Sequence, residues 1–222
     1  MNMLEISKNA RDSSLVLASL ETRIKNEALL CIANDLNAKR EEIIRANEED
    51  LKRSEKENLP FPLLKRLKFD DVKISAVIDG IKSLIKLEDP VGNTLLSTEL
   101  DTELMLYKVS CPIGVTGIIF ESRPDALVQI STLCLKSGNS VILKGGSEAM
   151  ETNRILTKVI KNATTKLDIP DSWIQLLETR ADVNEMLKMD DYIDLIIPRG
   201  SNEFVKYIMD NSRIPVLGHA DG

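Results

Sequence analysis

The stretch Cys111–Glu148, CPIGVTGIIFESRPDALVQISTLCLKSGNSVILKGGSE, decides the fold. Its first apolar run, Val115-Thr116-Gly117-Ile118-Ile119-Phe120, is rich in β-branched residues and stops at Glu121-Ser122-Arg123-Pro124. A helix-period segment leads from there to Gly138-Asn139, and a second run, Val141-Ile142-Leu143, ends at Lys144-Gly145-Gly146-Ser147-Glu148. This is a strand–helix–strand unit with a charged turn after each strand. In open α/β sheets such turns hold ligands, so the stretch reads as a site for a phosphate-bearing molecule.

The same alternation continues toward the C-terminus. A helix is expected over roughly 149–166, a strand at Trp173–Leu177, a short helix over 182–188, a strand at Ile193–Ile197, a helix from Pro198-Arg199-Gly200-Ser201 to about Asn211, and a fifth strand at Ile214–Leu217. Alternating βα units with nearly continuous apolar strands predict an α/β domain, a parallel sheet covered by helices on both faces.

Toward the N-terminus the character differs. From about Ser7 to Glu57 the chain lacks Gly and Pro and places Leu20, Ile24, Ala28, Ile32 and Leu36 at helical spacing, which predicts two or three helices with solvated outer faces. Pro60 and Pro62 are expected to break the pattern, and a further helix from Asp70 or Asp71 carries Ile74, Val77, Ile78, Ile81, Leu84 and Ile85 as one stripe. Between Thr94 and Val109, LLSTEL and ELMLYKV flank Asp101-Thr102 and predict a β-hairpin. Its unpaired edges suggest a role in oligomerisation. The expected division is a helical segment over 1–93 packed on the sheet domain, a hairpin over 94–110, and an α/β domain over 111–222.

Composition excludes several function classes. With 222 residues, 43% of them hydrophobic and 29% charged, the chain can bury a full core. A net charge of −6 argues against a general nucleic-acid binder, which needs a basic face. No apolar run is long enough to span a bilayer, and the start lacks a secretory pattern, so the expected location is cytoplasmic. Cys31, Cys111 and Cys134 are odd in number and widely spaced, which indicates neither a disulfide framework nor a zinc site. Cys31 and Cys134 sit at helical positions among apolar neighbours and read as core; Cys111, before the first sheet strand, reads as structural. His219 is the only histidine, reads as structural or pocket-edge, and has no metal-binding partner nearby; no metal is expected.

The strand ends are Glu121-Ser122-Arg123, Lys144-Gly145-Gly146-Ser147-Glu148, Glu178-Thr179-Arg180, Pro198-Arg199-Gly200-Ser201 and Gly218-His219-Ala220-Asp221. A parallel sheet puts them all on one rim, where helix N-termini add donors for phosphate oxygens. Any one of these turns could equally be a plain turn with a helix cap; their recurrence favours a site. Neither the dinucleotide fingerprint nor the P-loop pattern is present. Where an NAD-binding unit has an acidic residue after its second strand, this chain has Lys144; a cation there suits the 2′-phosphate of NADP, or is a surface lysine.

The segments CPIGVTGIIFESRPDALVQ, SGNSVILKGGSEA, DLIIPRGSNEFVKYI and IPVLGHADG closely resemble the γ-glutamyl phosphate reductases of proline biosynthesis, members of the aldehyde dehydrogenase superfamily. They also resemble the reductase half of bifunctional pyrroline-5-carboxylate synthase, without a kinase-like region before it. The resemblance runs from about Ser7 and implies a Rossmann-like NADP-binding domain, assembly through the hairpin into a homo-oligomer, and a cysteine thiolate from a second domain that would begin after Gly222. It places Lys144, Gly145, Gly146, Ser147 and Glu148 at the adenosine ribose and its 2′-phosphate, and Arg199, Gly200 and Ser201 beneath the pyrophosphate. Ser122 takes the place of an oxyanion-binding asparagine, and Arg123 beside it suits the acyl phosphate of γ-glutamyl phosphate. The implied chemistry is displacement of phosphate by the thiolate to give a thioester, then reduction with NADPH to the semialdehyde. With the nucleophile expected outside this sequence, the chain reads as the cofactor-binding part, inactive alone. The alternative is a non-catalytic nucleotide-binding or assembly module of the same family.

Overall fold

A computed structural model describes residues 2–218 of the chain. The helical spacing of the first third produces α1 (Met3–Ala18), α2 (Thr22–Ala38), α3 (Arg40–Lys56), α4 (Phe61–Leu67) and α5 (Asp71–Ile85). Local chemistry sets where they begin. The Asn2 side chain accepts from the Glu5 N–H at 2.9 Å, and the Glu5 carboxylate accepts from the Asn2 N–H at 3.1 Å, a reciprocal capping box. Asp70 caps α5 by accepting from the Lys73 N–H at 3.1 Å, as its acidic start predicts. The expected break is found, α3 ending at Lys56 ahead of Pro60, but an unexpected short helix follows, because Pro60 precedes it and Pro62 lies in its first turn, where an N–H would have no intrahelical partner. Leu67 and Phe69, both fully buried, draw this segment onto the core.

The next two elements, β1 (Thr94–Asp101) and β2 (Leu104–Val109), pair antiparallel as the expected hairpin, with Glu103 in the turn at φ 63°. All their residues are exposed, including Leu95, Leu96, Leu104, Leu106 and Tyr107. They form a two-stranded sheet separate from the main one.

The main sheet contains β3 (Val115–Ile119), β4 (Ser140–Lys144), β5 (Ile174–Leu177) and β6 (Leu195–Pro198), all parallel, in the order β5-β4-β3-β6. Around them lie α6 (Pro124–Lys136), α7 (Met150–Thr165), α8 (Arg180–Met186) and α9 (Asn202–Asn211). Alternation along β3 sends side chains to both faces. Ile118 and Phe120 join a core with Ile32, Ile78, Leu127 and Ile160, whereas Val115 and Ile119 join a second with Ala10, Val183, Met186 and Ile208. Helices therefore cover both faces, and α2 and α5 of the N-terminal segment extend the first core. The fold is Rossmann-like, with the chain moving from β3 outward to β5 and returning to β6 on the other side of β3. The switch point between β3 and β6 opens a crevice at the carboxyl ends of the strands.

Several expected strand boundaries differ, β6 among them, since it begins at Leu195 rather than at the expected Ile193. Trp173 ends a 3₁₀ turn over Asp171–Trp173, its indole N–H donating to Thr164 Oγ1 at 3.0 Å, and the strand starts one residue later. The fifth strand shrinks to one bridge, Ile196 to Val216. Pro215 can accept from Ile196 but has no N–H to donate, and Leu217 is exposed, so pairing does not spread. The expected role of His219 lies outside the described residues. Among those described, no helix is long and apolar enough to cross a membrane.

Candidate functional site

The carboxyl ends of the four parallel strands open on a cavity of about 770 Å³, inside the roughly 300–1,000 Å³ range of small-molecule and cofactor sites. Of the residues singled out by sequence, Ser122, Lys144, Gly145, Gly146, Ser147, Glu148, Arg199 and Ser201 line it. They come from three separate turns, brought together by the parallel sheet. Arg123 and Gly200 do not line it.

Three cations face this space: Lys144 after β4, Arg180 after β5 and Arg199 after β6. Among the described residues none of the three forms an ion pair, although the chain carries many such pairs elsewhere. Lys144 is buried, and among the described residues its ammonium donates only to the neighbouring Gly145 carbonyl. Burial pushes its pKa below the ordinary lysine value, with Glu148 acting in the opposite direction. A buried cation without a carboxylate is costly unless an anion arrives to pair with it. Glu178, also on the wall, is already matched, accepting from Arg154 Nε and Nη2 at 2.6 and 2.7 Å. Glu121 and Glu148 also line the wall without an ion pair among the described residues, so the three cations exceed the unpaired carboxylates by one, and the cations suit phosphate oxygens.

The turn after β4 is tightly folded. A Cβ on Gly145 would stand 2.2 Å from Asn153 Nδ2, and one on Gly146 would stand 2.0 Å from the Glu148 carboxylate, so a larger residue at either position requires that side chain to shift. Glu148 curls over Gly146 and accepts a short hydrogen bond from the Ser122 hydroxyl. That contact joins the turn after β3 to the turn after β4. Ser201 also serves as the N-cap of α9, accepting from the Phe204 N–H at 3.3 Å, so the plain capping role is realised at a position that lines the cavity.

Arg123 stands apart. Its guanidinium donates to Asp125 Oδ2 at 2.7 Å, and that pairing raises its pKa. The cysteines keep away from the cavity as well. Cys134 is buried on α6 beside Thr116, and burial pushes its thiol up to about 11. Cys31 is half-buried on α2. Cys111 is exposed on the amino side of β3, so the structural packing expected of it is not found.

Glu121, Glu178 and Arg180, read from the sequence as strand-end residues on this rim, also line the cavity. Other wall residues escaped the sequence reading. Val183, Phe204 and Tyr207, from α8 and α9, give the cavity an apolar side, and Tyr207 donates to Asn184 Oδ1 at 3.1 Å. Leu59 and Leu63 reach it from the N-terminal segment, through a loop and α4 that nothing local marks as part of a site.

A parallel sheet with this strand order and a cavity at the carboxyl ends of its strands defines a Rossmann-like α/β domain. The aldehyde dehydrogenase family model matches residues 5–217, and the chain belongs to that family, whose membership implies a nicotinamide cofactor. Within the family it is similar to γ-glutamyl phosphate reductases: 73% identical over 222 residues to that of Pelotomaculum thermopropionicum and 70% identical over 222 residues to that of Acetivibrio thermocellus. Both matches take in all of this chain but only 51% and 52% of the relative, so the chain spans about half the length of the curated relatives it matches. The crystal structure of the γ-glutamyl phosphate reductase of Thermotoga maritima superposes with a TM-score of 0.96 at 36% identity, over 100% of this chain and 54% of that one. The Saccharomyces cerevisiae structure gives 0.91 at 42% identity, over 98% and 56%. The residues on the rim fit such a cofactor, since they combine unpaired cations for phosphates with an apolar wall for a flat ring.

Proposed function

We propose that this chain is the cofactor-binding part of an enzyme that reduces L-glutamate 5-phosphate to L-glutamate 5-semialdehyde with NADPH, releasing phosphate, in the cytoplasmic biosynthesis of proline. High identity to γ-glutamyl phosphate reductases supports the substrate. The observation that carries the cofactor reading is Lys144, a buried cation with no ion pair among the described residues, at the strand end where an NAD site places an acid.

In this reading Lys144, Gly145, Gly146, Ser147 and Glu148 hold the ribose and its 2′-phosphate, and Arg199, Gly200 and Ser201 lie under the pyrophosphate. The bound cofactor supplies the hydride. Ser122 supplies a donor at the developing oxyanion, and it must part from Glu148 to do so. Arg123 binds the acyl phosphate by exchanging Asp125 for the incoming anion, which its half-exposed side chain permits. The hairpin is the assembly element, since its exposed leucines lack a cover among the described residues.

Titration of the protein with NADPH and NADH tests the cofactor assignment. NADPH is expected to bind at least roughly tenfold more tightly, with Lys144→Ala removing most of that preference. Equal affinities in the unaltered protein overturn it.

A further inference from the structure

Away from the cavity wall, α3 carries a buried face that is mostly polar. Asn47, Asp50 and Ser54 follow Ile43 at helical spacing and are all buried. Asp50 is fully buried, and its carboxylate is filled by donors. Oδ2 accepts from the Thr152 N–H at 2.8 Å and the Thr152 hydroxyl at 2.7 Å, while Oδ1 accepts from the Glu151 N–H at 3.2 Å and from Arg53 Nη2. Those two amides belong to the first turn of α7, whose own N-cap residue, Ala149, supplies no side-chain hydrogen bond. A residue more than a hundred positions away does the capping.

Arg53 completes the clamp. Its Nη2 lies 3.3 Å from the Ser147 carbonyl and 3.2 Å from the Glu148 carbonyl, so one guanidinium meets both the Asp50 carboxylate and the turn after β4. Asn47 steadies the far side, donating to Thr152 Oγ1 at 3.2 Å while its Oδ1 accepts from the Phe69 N–H at 2.7 Å. The segment from Ser147 to Thr152 is thereby held at its carbonyls and its amides by one turn of α3. Burying a carboxylate costs more than an ordinary local cap requires, since a side-chain cap needs only a short polar residue next to the helix start. What the buried Asp50 and its half-buried partner Arg53 add is a fixed position for the turn.

We infer that Asp50 and Arg53 are positioning residues for the Lys144–Glu148 turn and that, by fixing it, they set the preference for a 2′-phosphorylated over an unphosphorylated nicotinamide cofactor. The inference rests on the cofactor reading proposed above. Neither residue lines the cavity, so each acts through the turn.

The test compares the unaltered protein with Arg53→Ala, which leaves the Asp50 contacts to Thr152 in place, and with Arg53→Lys, which keeps the charge but not the planar fork. Affinities for NADPH and NADH are measured by fluorescence titration, and backbone hydrogen exchange is followed without nucleotide. Arg53→Ala is expected to weaken NADPH roughly tenfold and NADH less than about threefold, since a small displacement of a positioning group is felt most by the contacts it aims. Exchange should rise over 145–152 and stay unchanged in the strands at 115–119 and 140–143. Arg53→Lys should recover the melting temperature ahead of the NADPH preference. Equal weakening of both nucleotides, unchanged exchange in the turn, or recovery of stability and preference together overturns the inference. Unaltered protein that binds neither nucleotide, or both equally, defeats the cofactor reading and this inference with it, and that outcome is seen before any variant is made.

Discussion

Arg11 and Lys144 mark opposite ends of the parallel sheet. Arg11, on α1 beneath the amino ends of the strands, donates to both carboxylate oxygens of Asp194, at 2.9 and 2.8 Å. Asp194 also accepts from the Val115 N–H at 2.8 Å, and Gly114 presses against it with φ at +119°. Asn139 accepts from the Gly114 N–H at 2.8 Å and completes the junction. At the carboxyl end Lys144, Arg180 and Arg199 have no acidic partner within ion-pair distance among the described residues. One end spends its polar groups on holding α1 and the strands in register. The other leaves them available, which is the arrangement expected of a ligand site, where stability is given up locally for binding.

The comparison breaks first at Gly114. A Cβ there would meet Asp194 Oδ2 at 2.1 Å, and a positive φ disfavours any L side chain. Gly114→Ala should destabilise by roughly 2–4 kcal/mol in a denaturant titration, since strain and a displaced carboxylate add; a loss below about 1 kcal/mol means the junction yields more easily than its contacts imply.

Arg11→Ala should come next, at about 1.5–3 kcal/mol, because a part-buried Asp194 loses two charged hydrogen bonds. Cofactor affinity should not follow, as Arg11 lies at the other end of the strands. Lys144→Ala reverses both outcomes. It should leave unfolding stability within about 1 kcal/mol, since it removes a desolvated cation, while weakening NADPH roughly tenfold, about 1.4 kcal/mol. A fall in melting temperature as large as that of Arg11→Ala would erase the distinction between the two ends.

A smaller, pH-dependent effect belongs to Cys134. Its folded pKa of about 11 lies above the ordinary 9.0, with burial as the main cause and the contact with Thr116 opposing it. Below about pH 9 the thiol is protonated in both states and its contribution is whole; as pH rises from about 9 toward 11 the unfolded chain ionises first, and stability falls. Denaturant midpoints for the protein and Cys134→Ala should therefore diverge over that window and run parallel below it. At neutral pH a thiol reagent should modify the exposed Cys111 well before Cys134.

Much of the fold was legible because periodicity survives in short windows. The Val115 and Val141 runs are strands, Asp70 is a cap, and the Ile74-to-Ile85 stripe is a core-facing helix. Local reading failed where one chemical rule had two outcomes. Pro60 and Pro62 begin a helix as readily as they end one, and the Val216 strand depends on how far pairing with Ile196 extends. The site was half legible. Recurrent strand ends named Lys144, Ser147, Glu148 and Arg199, yet no local signal joined Asp50, Arg53, Leu59 or Leu63 to them.

By itself the sequence determined most of the strands and helices, with the short helix after Pro60 and the extent of the last strand excepted, that the strands are parallel, and that their carboxyl ends carry cations and glycines, because these follow from side-chain spacing and turn chemistry within a few residues. Only the tertiary structure decided which charges are neutralised. Arg11 finds Asp194 across 183 positions and Lys166 finds Asp35 across 131, while Lys144 finds no carboxylate within ion-pair reach among the described residues. Charge pairing depends on distances of a few ångströms between residues far apart in the chain, and those distances exist only once the sheet has closed on its helices.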